Sequence, residues 1–162
     1  MSTSRSLSRR LLAVFCGGFF GTLVRYLLSI LIQGYLGKGW PYDILSINIT
    51  GAFVLAFVTT LADASVLIGP TRRLLINVGF LGAYTTFSSL ALGDVLLFAN
   101  GRWLLALLYL VLSIVGGIIA VLVGDMLGQW SIKQFRNRTK PRVIENTKED
   151  HLDVQDDLLL PD

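Results

Sequence analysis

Gly79-Phe-Leu-Gly-Ala-Tyr-Thr-Thr-Phe-Ser-Ser-Leu90 is a glycine- and hydroxyl-rich run set inside an apolar segment long enough to cross a bilayer. Hydrocarbon offers no partner for backbone N–H and C=O groups released from a helix. Irregular backbone at that depth therefore persists only where it is buried in protein or lines a cavity. The run predicts a broken membrane helix, and the break is the first candidate for a functional site.

The rest of the chain fits that setting. Of its 162 residues 53% are hydrophobic and only 15% charged, and the mean hydropathy is +0.64, well above the level of a soluble domain. Four segments read as spanning helices, about Leu11–Ile32, Ile44–Ala62, Leu74–Ala99 and Trp103–Leu127, each near or above the roughly 20 residues required. The fourth carries no charge from Trp103 to Gly124, and the second is uncharged from Ile44 to Ala62. Internal charges are Arg25 in the first span and Asp94 in the third, with Asp125 close to the end of the fourth. The expected fold class is all-α integral membrane, with four transmembrane helices and a broken third.

A formal charge of +3 invites a nucleic-acid reading, but the charges gather at the ends of the spans, so no nucleic-acid partner is expected. The basic opening MSTSRSLSRR resembles the start of a signal peptide. The apolar run after it is too long and lacks a small-residue cleavage site, so it reads as a retained first helix. A single cysteine, Cys16, excludes an intramolecular disulfide and a Cys-rich metal site. His151 stands alone in a polar stretch and reads as solvated.

The connections, about Gln33–Asp43, Asp63–Arg73 and Asn100–Arg102, are short and punctuated by Gly, Pro and Asn. Residues 1–130 form one membrane unit. Residues 131–162 turn basic and then acidic without apolar periodicity until Leu158, and read as a disordered or peripheral tail. Trp40, Tyr42, Trp103 and Trp130 fall at span ends, where amphipathic rings favour the headgroup region. With four spans, both termini and the middle loop share one side. That side holds ten Lys and Arg near the membrane, against two, Lys38 and Arg102, on the other. The positive-inside rule then places both termini in the cytoplasm.

In the third span Gly79, Gly82, Thr85 and Thr86 weaken the helix, and Asn77, Ser88 and Ser89 add polar atoms. Freed carbonyls there suit a hard cation such as Na⁺. The alternative is a bent helix whose Ser and Thr hydroxyls bond back to the previous turn. Asn48, near the start of the second span, offers two N–H donors to an anion, or serves as packing glue between helices. Tyr109 and Ser113 share one face of the fourth helix. With Phe87, whose ring edge is partly positive, they outline a weak anion track, although each is singly a common packing residue. Gly17-x-x-x-Gly21, Gly116-Gly117 and Gly124-x-x-x-Gly128 predict close helix approach or dimerisation. No phosphate loop, HExxH or GxSxG is present, so nothing supports an enzyme. Proton-coupled antiport ordinarily needs a mid-membrane carboxylate, and the only candidate is Asp94.

These residues resemble the Fluc/CrcB family of small fluoride channels over about Leu11–Leu127. The matching runs are GGFFGTLVRY at Gly17–Tyr26, NITGAF at Asn48–Phe53, GFLGAYTTFSS at Gly79–Ser89 and GRWLLALLYLVLS at Gly101–Ser113, all in family order. The resemblance implies a plasma-membrane, multi-pass subunit that pairs antiparallel with another. Two fluoride paths and a central structural Na⁺, which is not transported, follow from it. It further implies that the backbone carbonyls of Gly82 and Thr85 hold that Na⁺. Asn48, Phe87, Tyr109 and Ser113 line the fluoride path, with hydroxyls from Thr86, Ser88 and Ser89. Arg25 matches the first-helix arginine, read as structural or vestibular, and Gly17 and Gly21 are structural.

Three departures stand out. Leu90 occupies the place of a second pore-lining Phe, Asp43-Ile44 replaces Gly-Thr at the entry to the second helix, and Ala56 replaces a Gly. The charge bias also conflicts with a subunit that inserts both ways. Antiparallel pairing is thus expected either as a homodimer or with an oppositely oriented paralogue that supplies the missing Phe. The competing functions are a small multidrug or cation exporter, whose first-helix carboxylate is absent, and a non-transporting membrane partner of a channel.

Overall fold

The computed structural model describes residues 2–64 and 69–139, all of them helix or short connection, with no strand among them. Four helical stretches are long and apolar enough to cross a membrane. Helix α1 (Ser2–Leu36) and α2 (Tyr42–Ala64) form the first two. The third is composite. Helix α3 (Pro70–Arg73) starts with proline, whose missing N–H costs nothing at a helix start. A π-helical segment, Leu74–Leu81, follows, then α4 (Gly82–Tyr84) and, beyond two extended residues, α5 (Phe87–Ala99). Helix α6 (Trp103–Thr139) is the fourth. The π-helical turns were not anticipated from sequence; such turns are rare and often sit at functional sites.

The turns are pinned at one end of the bundle. Helix α1 stops at Gly37, whose φ of +78° only glycine adopts cheaply, and its N–H returns to the Gln33 carbonyl. Gly101, at φ +70°, makes the sharp turn from α5 into α6. The two turns are tied together: Arg102 Nη1 donates to the Gly39 carbonyl at 2.8 Å, and Trp40 Nε1 to the Leu105 carbonyl at 3.2 Å.

Glycines decide which helices touch. A Cβ on Gly17 would collide with the Leu75 carbonyl and lie 2.8 Å from the Phe80 nitrogen, and one on Gly21 would collide with the Phe80 carbonyl. Gly79 answers from the other side, against the Val14 carbonyl. Thus α1 packs backbone to backbone on the π-helical segment. On α6, Gly124 meets the Phe53 carbonyl of α2, and Gly116 and Gly128 make room for the side chains of Ile49 and Thr60. Gly17, Gly21, Gly116, Gly124 and Gly128 therefore serve packing inside the subunit, whereas Gly117 has nothing within 4 Å of where a Cβ would stand.

Two small clusters are buried. One joins Ile47, Leu81 and Tyr84, and the other Leu97, Ala106 and Tyr109 with Trp40 and Leu90 against them. Most large apolar side chains, among them Phe15, Phe19, Ile118 and Leu122, face outward. A water-soluble monomer does not carry so continuous an apolar exterior.

The chain divides into two units, Met1–Gly128 and Gln129–Asp162. In the second, residues 131–139, expected to begin a disordered or peripheral tail, are helical. Ile132, Lys133, Gln134 and Arg136 are acceptable to good helix formers, and cations suit a helix C-terminus. The rest of that expected tail lies outside the described residues.

Candidate ion site at the helix interruption

The backbone leaves helical geometry at Thr85 (φ −79°, ψ 154°) and Thr86 (φ −151°, ψ 117°). Asn48 of α2 faces this point. Its Oδ1 accepts from the Thr86 N–H at 2.8 Å and its Nδ2 donates to the Thr86 carbonyl at 3.0 Å. One side-chain amide thereby takes both backbone groups of an interrupted residue, the pairing a β ladder would otherwise supply. One Nδ2 hydrogen is left beyond these two bonds.

Thr86 in turn caps α5. Its Oγ1 accepts from the Ser89 N–H at 3.2 Å and lies within hydrogen-bond distance of the Ser88 and Ser89 hydroxyls. Threonine is a good residue for that position. Thr85 folds its hydroxyl back onto the Leu81 carbonyl at 2.9 Å, and its N–H reaches the same oxygen.

The consequence falls on the carbonyls just before the break, and for two of them the diverted donor can be named. In an α-helix each C=O accepts from the N–H four residues on. For Gly82 that donor is Thr86, which bonds to Asn48 instead. For Thr85 it is Ser89, which bonds to the Thr86 hydroxyl instead. Of the two carbonyls between them, that of Ala83 is served differently, accepting from Arg25 Nε of α1 at 3.1 Å. Gly82 and Thr85 thus have their helical donors diverted to side chains. Neutral carbonyl oxygen is the donor type a hard cation takes, so these residues fit a Na⁺ ion.

The other expected site residues are placed as follows. Phe87 is 81% exposed on this chain, turned to whatever lies outside the subunit. Tyr109 is fully buried, stacked edge-on against Trp40, and its hydroxyl has no partner among the described residues. Ser113 donates back to the Tyr109 carbonyl at 2.7 Å, the common bond of a hydroxyl within a membrane helix. The structure thus brings Asn48, Gly82, Thr85, Thr86, Ser88, Ser89 and Arg25 to one interruption, while Tyr109 sits in the second core cluster. Leu90 packs against that same cluster, inside the subunit.

Some polar contacts had no signal in the sequence. Tyr84 and Thr50 share a hydrogen bond at 2.9 Å, and Asn77 Nδ2 donates to the Thr59 hydroxyl at 3.0 Å. Asp43 is buried, and its Oδ2 accepts from both Ser29 and Gln33. It lines a cavity of about 1180 Å³ whose walls also carry Arg25, Lys38, Arg102 and Ser89.

Comparison with known proteins gives the family. The sequence model of the CrcB-like, camphor resistance (CrcB) family matches residues 12–125. This chain belongs to the CrcB-like family. A relative from Chlorobium phaeobacteroides (strain BS1) is 38% identical over 119 residues, covering 74% of this chain and 92% of the relative. One from Hydrogenobaculum sp. (strain Y04AAS1) is 43% identical over 117 residues, 72% of this chain and 95% of the relative. One from Chlorobium luteolum is 37% identical over 132 residues, 81% of this chain and all of the relative. Each is named a fluoride-specific ion channel, FluC, which is a transport protein and not an enzyme. The CrcB-like match contains every residue of the interruption, from Arg25 through Ser89, as well as Tyr109 and Ser113.

Proposed function

We propose that this chain is a subunit of a fluoride channel in the plasma membrane, working as an antiparallel dimer with a structural Na⁺ at its centre. The observation that carries the reading is the interruption in a CrcB-like chain, where Asn48 and Thr86 divert the donors of the Gly82 and Thr85 carbonyls. A Na⁺ held by those two carbonyls, with the same pair from a second subunit, supplies positive potential without a fixed side-chain charge. Fluoride is strongly hydrated, so its path must replace water's donors. The remaining Asn48 N–H and the hydroxyls of Thr86, Ser88 and Ser89 are such donors, with the ring edge of Phe87 beside them. Neutral donors hold an anion weakly enough for it to leave.

In acidic surroundings HF enters, dissociates near neutral pH, and the trapped anion leaves down its gradient and the membrane potential. The ten-to-two excess of Lys and Arg supports cytoplasmic termini and one fixed insertion. A fixed insertion favours an oppositely oriented paralogue over a homodimer.

The test is reconstitution of the purified chain in liposomes, with fluoride efflux followed by electrode in Na⁺ and with a chloride control. Rapid fluoride-selective efflux supports a self-sufficient homodimer. Efflux that appears only when an oppositely oriented paralogue is added supports the heterodimer. Absence of efflux in both defeats the channel reading.

A further inference from the structure

We propose that Asn48 is a positioning residue for the cation site: by clamping both backbone groups of Thr86, it keeps the Gly82 carbonyl free to face a Na⁺ ion. This rests on the channel reading above and assigns Asn48 a task separate from donating to fluoride. The geometry is specific. Oδ1 takes the one N–H that would close a helical bond onto Gly82, and Nδ2 holds the Thr86 carbonyl so that the residue stays extended. Thr86 performs the matching task one turn on, its hydroxyl taking the Ser89 N–H that would close onto Thr85. Arg25 occupies the Ala83 carbonyl, one of the two between them. Remove the Asn48 acceptor and the Thr86 N–H is released to the Gly82 oxygen, because a buried donor left unbonded is costly. The third span then gains a helical bond at the expense of a cation ligand. A residue on α2 thus ties an anion path to a cation site on the third span, and the amide serves both.

The two tasks separate by substitution. In Asn48→Asp one carboxylate oxygen still accepts from the Thr86 N–H, the bond that keeps the Gly82 carbonyl free, while the bond to the Thr86 carbonyl is lost, so a saturable Na⁺ response persists and the added negative charge blocks fluoride. Asn48→Ala loses both. The experiment measures thermal unfolding of the purified full chain in detergent against NaCl, with N-methylglucamine chloride holding ionic strength constant, since a ligand that binds only the folded state raises the midpoint. Fluoride efflux is measured on the same preparations. Wild type should show a saturable Na⁺ shift, retained in Asn48→Asp without fluoride efflux. In Asn48→Ala the half-saturating Na⁺ should rise about tenfold or more, as for loss of one well-made interaction. Asn48→Leu, which keeps the volume and removes the acceptor, should weaken Na⁺ in the same way and carries the test if Asn48→Ala does not fold. A wild-type Na⁺ response in Asn48→Ala or Asn48→Leu overturns the inference and leaves the channel reading intact. A wild type without any Na⁺ response overturns the cation site and the inference together, and fluoride efflux then decides the channel reading alone.

Discussion

Arg25 Nε, carried by α1, donates to the backbone oxygen of Ala83 at 3.1 Å. The only charged side chain within the first apolar span is thus spent on a carbonyl at the edge of the helix interruption. Arg25→Leu should leave that oxygen without its donor and lower stability by about 1–3 kcal/mol, the cost of an unsatisfied buried polar group. Arg25→Lys, with a flexible ammonium in place of the planar fork, should recover only part. Thermal unfolding of the two variants in detergent checks this; equal midpoints for Arg25→Leu and wild type would show that the bond contributes nothing.

The glycines of α1 divide into two kinds. Gly17 and Gly21 have backbone atoms of the π-helical segment where a Cβ would stand, whereas nothing lies within 4 Å of such an atom at Gly34. Gly17→Val or Gly21→Val should push α1 off the third span and cost at least about 1–3 kcal/mol, the usual range for overpacking. Gly34→Ala should be neutral or stabilise by up to ~1 kcal/mol through helix propensity. Size-exclusion profiles and unfolding midpoints of the three variants separate the two classes.

How far this was legible in the sequence follows from the kind of signal. Hydrophobic length placed all four spans, because bilayer thickness imposes it and no tertiary detail can override it. Ends were less exact: α1 and α6 run past the apolar stretch, Ser2–Leu36 and Trp103–Thr139, since polar and basic residues continue a helix outside hydrocarbon. The Gly17-x-x-x-Gly21 pattern announced close approach but not its partner, and spacing alone never names the opposite helix. Asn48 stood out as an amide in a membrane helix, yet its clamp on Thr86 depends on a contact 38 residues away. The π-helical segment and the Ser29–Gln33–Asp43 network left no pattern to read, for both arise only once the helices pack.

Ser29 and Gln33 both donate to Oδ2 of the buried Asp43. Hydrogen bonds to a charged group each contribute about 1.5–3 kcal/mol, and two donors on one oxygen share a partner, so their losses should not add. The single variants Ser29→Ala and Gln33→Leu should each be tolerated better than half of the double variant's loss. A double-mutant cycle on unfolding midpoints measures the coupling, and strict additivity would sink the idea of a joint network.

Gly51 is the point where α2 passes the interruption, and a Cβ there would run into the methyl of Thr85 and stand 3.1 Å from the Tyr84 ring. Gly51→Ala adds one carbon where two rigid neighbours meet, one of them bonded through its ring hydroxyl to Thr50. Thr85 has to shift, and with it the carbonyl proposed to face Na⁺. The variant should therefore lose fluoride efflux by about tenfold or more, in line with the cost of small displacements at a positioned site, while the unfolding midpoint falls only modestly. If Gly51→Ala conducts as wild type does, the backbone at Thr85 tolerates displacement and the site is not held as tightly as these contacts imply.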